Sequence, residues 1–151
     1  MRIEEIMIRD VFTVSDEATV RDAIKVFIDN GISGVPIVND QNEIRGFISD
    51  GDIMRNVGRQ KEVFLDSLYN MSVMESEKGN YEDRVAEVLE MNVRMVGKKR
   101  VNSVPYDKSV EDVAAILGKK RIKKLPIEKN GKLVGIISRG DIVRETFKSF
   151  L

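Results

Sequence analysis

Two residue types that carry much of enzyme chemistry, cysteine and histidine, are missing from this chain of 151 residues. Without cysteine there is no disulfide, no thiolate nucleophile and no zinc–thiolate site. Without histidine the chain lacks the commonest general base and metal ligand. No stretch reaches the roughly 18 apolar residues that a membrane-spanning helix needs. These absences argue against most hydrolytic and metalloenzyme schemes, and we expect a soluble, cytoplasmic protein with no membrane partner.

The chain also lacks a Walker-type glycine loop and a dense carboxylate cluster that could hold magnesium. We therefore predict no catalytic residue, no metal site and no required cofactor. Acidic residues do stand at two predicted helix starts, but no base lies near them in the sequence. This arrangement is typical of a protein that holds a ligand without transforming it.

The net charge of zero conceals a division along the chain. Residues 1 to 90 carry 10 Lys and Arg against 19 Asp and Glu, whereas residues 91 to 151 carry 15 against 6. Opposite charges of this kind can help the two halves to dock, and the basic half can also offer anion sites. The two interpretations are compatible.

An internal repeat is the most informative feature that the chain does contain. The segment GFISDGDI at 46–53 returns as GIISRGDI at 135–142, an offset of 89, and upstream residues align at an offset of 90. The one-residue difference falls in a predicted turn, where Asn130-Gly131 favours a tight hairpin. An ordered series of identities surrounds that turn, so the chain consists of two copies of one structural unit.

Each copy is predicted to fold as β-α-β-β-α, which gives a mixed α/β (α+β) protein. In each copy a hydroxyl residue with an acid three positions later predicts a capped helix start. The predicted elements of the first copy are a strand over Val11–Val14, a helix from Thr19 to Asn30, strands over Val35–Val38 and Ile44–Ile48, and a helix from Ser49. Those of the second are a strand over Val101–Val104, a helix from Ser109, strands over Leu125–Glu128 and Leu133–Ser138, and a helix to the chain end.

The resulting domain division is 1–55 for the first repeat, 56–97 for an insert and 98–151 for the second repeat. The insert is rich in Met and acidic residues and is predicted to be mostly helical, with a break near Gly79-Asn80. Its apolar spacing is typical of core or partner-helix packing. Flexible Met side chains would also suit a lid over a ligand cleft.

The repeated junction ends a strand and opens a helix, so unpaired backbone N–H groups and the positive end of the helix dipole favour an anion there. Asp52 or Asp141 could accept hydrogen bonds from vicinal hydroxyls, and Ser49 or Ser138 could lie beside a phosphate. The alternative is that each Ser-x-x-Asp is an ordinary capping box serving only its own helix. Arg139 adds positive charge to one copy, whereas its counterpart is an aspartate.

These residues resemble the cystathionine-β-synthase-type (CBS) domain, and the tandem is similar to the paired arrangement called a Bateman module. The resemblance rests on GVPI at 34–37, on KLPI at 124–127 and on the two Gly-φ-φ-Ser-x-x-Asp strand ends, where φ is an apolar residue. It implies two repeats packed as a pseudo-twofold pair with clefts between them. In this family such clefts bind AMP, ADP, ATP or S-adenosylmethionine.

The resemblance also implies which residues of this chain would contact an adenosine ligand. One cleft would use Ile8, Phe12, Ser33, Gly34 and Val35 with Ser138, Arg139 and Asp141. The other would use Lys98, Asn102, Lys123, Lys124 and Leu125 with Ser49 and Asp52. We expect the first to be the better nucleotide site, because small residues, an aromatic ring and Arg139 meet there. The lysines of the second suit a di- or triphosphate, or are plain solvated side chains.

The leading functional hypothesis is a stand-alone regulatory module that binds an adenine nucleotide and passes a shape change to an unknown partner protein. The family resemblance implies a homodimer, for which the C-terminal helix over Ile142–Phe150 is the candidate interface. The alternative is a ligand-free interaction or dimerisation scaffold. A third hypothesis has the basic clusters at 98–100 and 119–124 bind nucleic acid, but the aromatic residues that such sites interleave are missing.

Overall fold

The computed structural model describes residues 1–58, 80–119 and 122–151. Each repeat forms a three-stranded sheet. The first contains β1 Val14–Ser15, α1 Val20–Asn30, β2 Gly34–Val38, β3 Ile44–Ser49 and α2 Asp50–Val57. Next come α3 Tyr81–Leu89 and α4 Val93–Val96. The second repeat contains β4 Val104–Pro105, α5 Val110–Lys119, β5 Lys124–Lys129, β6 Lys132–Ser138 and α6 Arg139–Phe147.

The predicted β-α-β-β-α order is confirmed in both repeats, with corrections to the first strand and to the end of the last helix. The first strand was predicted over Val11–Val14 and Val101–Val104, but it covers only Val14–Ser15 and Val104–Pro105. An apolar run forms a strand only where another strand offers hydrogen bonds, and β1 pairs in parallel with the last two residues of β2. The last helix was predicted to reach the chain end, but α6 stops at Phe147 and a short 3₁₀ turn follows.

Local sequence signals fix the helix and hairpin ends. The Thr19 N–H donates to Asp22 Oδ2 at 3.0 Å at the start of α1, and Gly31 ends that helix with a φ of 62°. The predicted Asn-Gly hairpin is present, since Asn130 and Gly131 both have positive φ, at 53° and 79°. These are the backbone angles that a tight hairpin requires.

The segment between the repeats is described only in part. Asn80 caps α3 by accepting the Asp83 N–H at 2.8 Å, so a helix starts where the sequence predicted a break. The predicted helical residues at 59–79 lie outside the described part of the chain, as do Lys120 and Arg121 of the second basic cluster. Among the residues that are described, every helix is too short or too polar to cross a membrane.

The two repeats exchange the segments that precede them. The backbone of Ile8 forms two hydrogen bonds of 2.9 Å with Ile136 of β6, and Lys98 forms equivalent bonds of 2.9 and 2.8 Å with Phe47 of β3. Ile3 is fully buried in the core of the second repeat, whereas Val93 is fully buried in the core of the first. The exchange is reciprocal at equivalent positions, so the pair has the predicted pseudo-twofold arrangement.

The repeated glycine of the motif makes this exchange possible. A Cβ atom on Gly46 would lie 2.7 Å from the backbone oxygen of Lys98, closer than real Cβ contacts. On Gly135, the equivalent residue, a Cβ would lie 3.1 Å from the backbone oxygen of Ile8. At these two positions the absent side chain lets the exchanged segment approach the outer strand.

Candidate functional site

A cleft of about 390 Å³ lies where the start of α2 faces the second repeat. Its walls come from the ends of β2 and β3, from the start of α2 and from the start of β5. The segment around Lys98 that pairs with β3, called the exchanged segment below, completes them. The lining residues are Ser33, Gly34, Phe47, Ser49, Asp50, Gly51, Asp52, Arg55, Lys98, Arg100, Val101, Asn102, Ile122, Lys123, Lys124 and Pro126. Both repeats therefore contribute to one site.

The α2 start that borders this cleft is a closed capping box. The N–H and the hydroxyl of Ser49 each donate to Asp52 Oδ2 at 3.0 Å. Arg55, three residues on, forms an ion pair with Asp52 Oδ1. The Asp52 side chain is only 3% exposed, and these donors compensate its buried charge.

The second copy of the motif repeats this geometry at the start of α6. Ser138 donates to Asp141 Oδ2 through its N–H at 2.9 Å and through its hydroxyl at 2.8 Å. Arg144 pairs with Asp141 Oδ1 at 2.6 Å. Both copies of the motif therefore form capping boxes. A contact between either aspartate and a ribose stays a prediction.

Arg139 and Asp50, the first residues of α6 and α2, form different hydrogen bonds within the chain. Arg139 Nε donates to the carbonyl oxygen of Leu117 at 2.9 Å, which ties the start of α6 to the last turn of α5. The Asp50 N–H donates to the carbonyl oxygen of Ser33 at 2.8 Å, and its carboxylate accepts the Gly51 N–H at 2.8 Å. The phosphate contact expected for Arg139 stays a prediction.

The cleft collects most of the residues expected at the second of the two predicted sites. Ser49, Asp52, Lys98, Asn102, Lys123 and Lys124 all line it, together with Ser33 and Gly34, which were assigned to the other site. The side chains of Leu125 and Val35 are buried in the two cores, at 0% and 1% exposure. Any ligand contact at those two positions would therefore involve the backbone.

The remaining expected residues lie at the opposite junction. Ile8 pairs with Ile136, two residues before Ser138, so it shares that end of β6 with Ser138, Arg139 and Asp141. The side chains of Ile8 and Phe12 are about half exposed, at 47% and 50%. None of these five lines the 390 Å³ cleft.

The sequence analysis did not predict several of the residues that line the cleft. Arg55 follows Asp52 by three positions on a helix, the spacing at which side chains meet. Arg100 follows Lys98 by two positions, and both line the cleft. Phe47 and Ile122 give the cleft apolar surface, and no local pattern distinguishes them from core residues.

Comparison with known proteins identifies the family. The model for the CBS domain matches residues 3–59 and 84–148, which is most of the chain. The chain belongs to the CBS-domain family. The predicted resemblance is thereby confirmed for both repeats.

Individual relatives agree with this assignment. An uncharacterized protein of Methanocaldococcus jannaschii is 28% identical over 95% of this chain and 89% of its own length. A homoserine O-acetyltransferase of Methanosalsum zhilinae is 31% identical over 68% of this chain, but the match spans only 19% of that enzyme. The fold matches CBSX2, a CBS-pair protein of Arabidopsis thaliana, in a crystal structure of its complex with AMP. That match has a TM-score of 0.73 at 20% identity and covers 99% of this chain and 98% of CBSX2.

Proposed function

We propose that this CBS pair is a regulatory module that binds an adenine nucleotide in the cleft between its repeats and passes a change of shape to a partner protein. The observation that carries this proposal is the 390 Å³ cleft, which is built by both repeats and combines apolar with basic walls. Its volume lies within the roughly 300–1,000 Å³ of small-molecule sites. The AMP complex of CBSX2 supports the same ligand class.

The cleft offers a separate surface for each part of a nucleotide. Phe47, Val101 and Ile122 supply apolar surface for a base. Ser49 and Asp52 supply polar groups that suit sugar hydroxyls. Basic side chains on two walls suit the phosphates. A ligand that spans these surfaces would touch both repeats at once.

The contacts of the repeated motif residues favour a binding role over catalysis. The Asp52 carboxylate already accepts two hydrogen bonds from Ser49 and pairs with Arg55. Both of its carboxylate oxygens are therefore already engaged by partners within the chain. We therefore propose that the chain holds its ligand without transforming it.

Signalling requires that the ligand prefer one arrangement of the repeats, since equal affinity for two arrangements shifts neither. The exchanged segment connects ligand binding in the cleft to the arrangement of the repeats. Lys98 lines the cleft with its side chain and joins β3 with its backbone. A nucleotide in contact with Lys98 and Ser49 would stabilise the arrangement in which the segment and β3 are joined.

We also propose that the module is a homodimer. Val143, Phe147 and Phe150 at the C-terminal end are each more than half exposed, and Met54 on α2, the equivalent of Val143, is 66% exposed. Apolar side chains at equivalent places in both repeats suit a self-complementary surface. Analytical ultracentrifugation should show a dimer that Phe147→Glu converts to a monomer and that Ile28→Glu, on exposed α1, leaves intact. A monomeric wild type would contradict this proposal.

Calorimetric titration with AMP, ADP, ATP and S-adenosylmethionine tests nucleotide binding. Asp52→Asn and Asp141→Asn form a matched pair, because the two residues hold the same N3 position in equivalent capping boxes. The side-chain oxygen of Asn can still accept a hydrogen bond from the serine. We expect Asp52→Asn to weaken nucleotide binding about tenfold, and Asp141→Asn to leave it within about twofold.

The other outcomes of this titration are equally informative. Loss of binding in Asp141→Asn alone would move the site to the junction of Arg139. No heat with any of the four ligands would contradict nucleotide binding and leave the interaction scaffold as the function.

A further inference from the structure

Four basic side chains of the cleft have no acidic partner within the part of the chain that the structure describes. Lys98, Arg100, Lys123 and Lys124 all line it, and none of them forms an ion pair with a residue in the described ranges of the chain. The cleft also contains two carboxylates, but the charge of Asp52 is compensated by Arg55. The site therefore has a clear excess of positive charge.

The four cations stand on two separate walls. Lys98 and Arg100 project from the exchanged segment, whose backbone is bonded to Phe47 at 2.9 and 2.8 Å. Lys123 and Lys124 stand at the start of β5, where Lys124 pairs with Ser138 of β6. A ligand with several linked anionic groups can reach both walls.

This basic character is specific to one cleft and is not part of the repeated frame. At an offset of 90, the positions equivalent to the four cations are Ile8, Asp10, Ser33 and Gly34. None of these is basic, and one is acidic. The frame does not need positive charge at these positions, so the charge has another use.

We propose that this cleft selects nucleoside di- and triphosphates over monophosphates, with Lys98 and Lys123 as specificity-determining residues on its two walls. The proposal rests on the proposed function, which supplies the nucleoside part. A terminal phosphate carries up to about two negative charges at neutral pH, and each further phosphate adds about one more. Hydrogen bonds between charged partners are the strong ones, so each added phosphate gains contacts that a monophosphate lacks.

Asp50 influences where the phosphates lie in the cleft. It is exposed at the start of α2 and lines the cleft. A negative side chain at this end repels a phosphate placed beside it and directs the phosphate chain toward the lysines. In the other repeat the equivalent residue is Arg139, so the first residue of the helix differs in charge between the two repeats.

The test is titration of the full chain with AMP, ADP and ATP in buffer containing EDTA. We expect ATP to bind at least about tenfold more tightly than AMP. Lys98→Met and Lys123→Met should each weaken ATP binding about tenfold and leave AMP within about twofold. Lys99→Met is the matched control, because this exposed neighbour of Lys98 does not line the cleft. It should bind all three nucleotides like the wild type.

Each contrary result has a distinct meaning. Equal affinity for AMP, ADP and ATP would overturn the selection and leave nucleotide binding intact, whereas no binding at all would overturn both. Equal loss of AMP and ATP in Lys98→Met would also overturn the selection, because the lysine would then serve the part that they share. Inorganic tripolyphosphate should bind at least about tenfold more weakly than ATP, since it lacks apolar contacts. Binding as tight as that of ATP would overturn the nucleoside part of the proposal.

Discussion

The second repeat is basic at four positions where the first is not. The pairs are Lys98 against Ile8, Arg100 against Asp10, Lys123 against Ser33, and Lys124 against Gly34. Residues that the repeats share have equivalent contacts: Gly46 and Gly135 admit the exchanged segments, and Asp52 and Asp141 close the capping boxes. Shared residues therefore build the frame, and diverged residues at the cleft determine what it can bind.

The largest expected effect comes from breaking the exchange in one repeat at a time. Ile3 is fully buried in the core of the second repeat and Val93 in that of the first. Ile3→Ala should lower the free energy of unfolding by about 3 kcal/mol, and Val93→Ala by about 2 kcal/mol. Urea denaturation measures both values.

Hydrogen exchange then locates the damage. Because Ile3 packs in the core of the second repeat, Ile3→Ala should reduce amide protection at Ile127 and Ile137 more than at Ile37. Val93→Ala should show the reverse pattern. If each substitution weakened the repeat in which it stands in the sequence, the reciprocal exchange would be wrong.

A smaller effect is expected where the exchanged backbone passes the repeated glycine. Gly46→Ala places a Cβ 2.7 Å from the Lys98 backbone oxygen and 3.2 Å from Ile37 Cδ1, so it should destabilise by about 2 kcal/mol. Gly118→Ala is the control, because a Cβ there meets nothing within 4 Å. In a helix this change should be neutral or stabilise by up to about 1 kcal/mol. Equal melting temperatures for the two variants would contradict the close approach.

The smallest effect concerns the cap of α1 and depends on pH. Hydrogen bonds from the Thr19 N–H and hydroxyl lower the pKa of Asp22. A lowered pKa stabilises the fold above the ordinary carboxyl pKa, and this stabilisation is lost as the pH falls through the folded value. Asp22→Asn should therefore lower the urea midpoint at pH 7, and the difference from wild type should close in acid. A gap for Asp22→Asn that persisted in acid would rule out this cause.

Local signals explain why so much of the frame could be predicted. The Thr19 and Ser138 caps, and the Asn130-Gly131 turn, each depend on a few neighbouring residues, so the sequence predicts them. The first strands were misplaced because β1 exists only through pairing with β2, which lies more than 20 residues away. An apolar run does not specify its partner.

The exchange of segments was not predicted for the same reason. Ile3 and Met7 lie in a terminal segment that mixes charged and apolar residues. Nothing in the local sequence indicates that they enter the core of the other repeat. The offset of 90 does continue upstream, pairing Ile3 with Val93 and Ile6 with Val96. Extending the alignment by these residues would have identified equivalent segments, although not the repeat on which each packs.

At the candidate site, the sequence predicted the motif residues better than it predicted the residues that pack around them. It identified Ser49, Asp52, Lys123 and Lys124, because the repeated motif and the family resemblance mark them. It did not identify Phe47, Arg55 or Arg100, which reach the cleft through tertiary packing. Nor did it show that Val35 and Leu125 turn their side chains into the cores.

The most direct test of the central claim is a nuclear magnetic resonance titration of the ¹⁵N-labelled chain with ATP. The difference between the repeats predicts that amide shifts concentrate at the basic cleft, over residues 98–102 and at Ser49 and Asp52. Shifts concentrated at Ile8, Phe12 and residues 138–141 would contradict this account, because the junction of Arg139 would then be the one that binds.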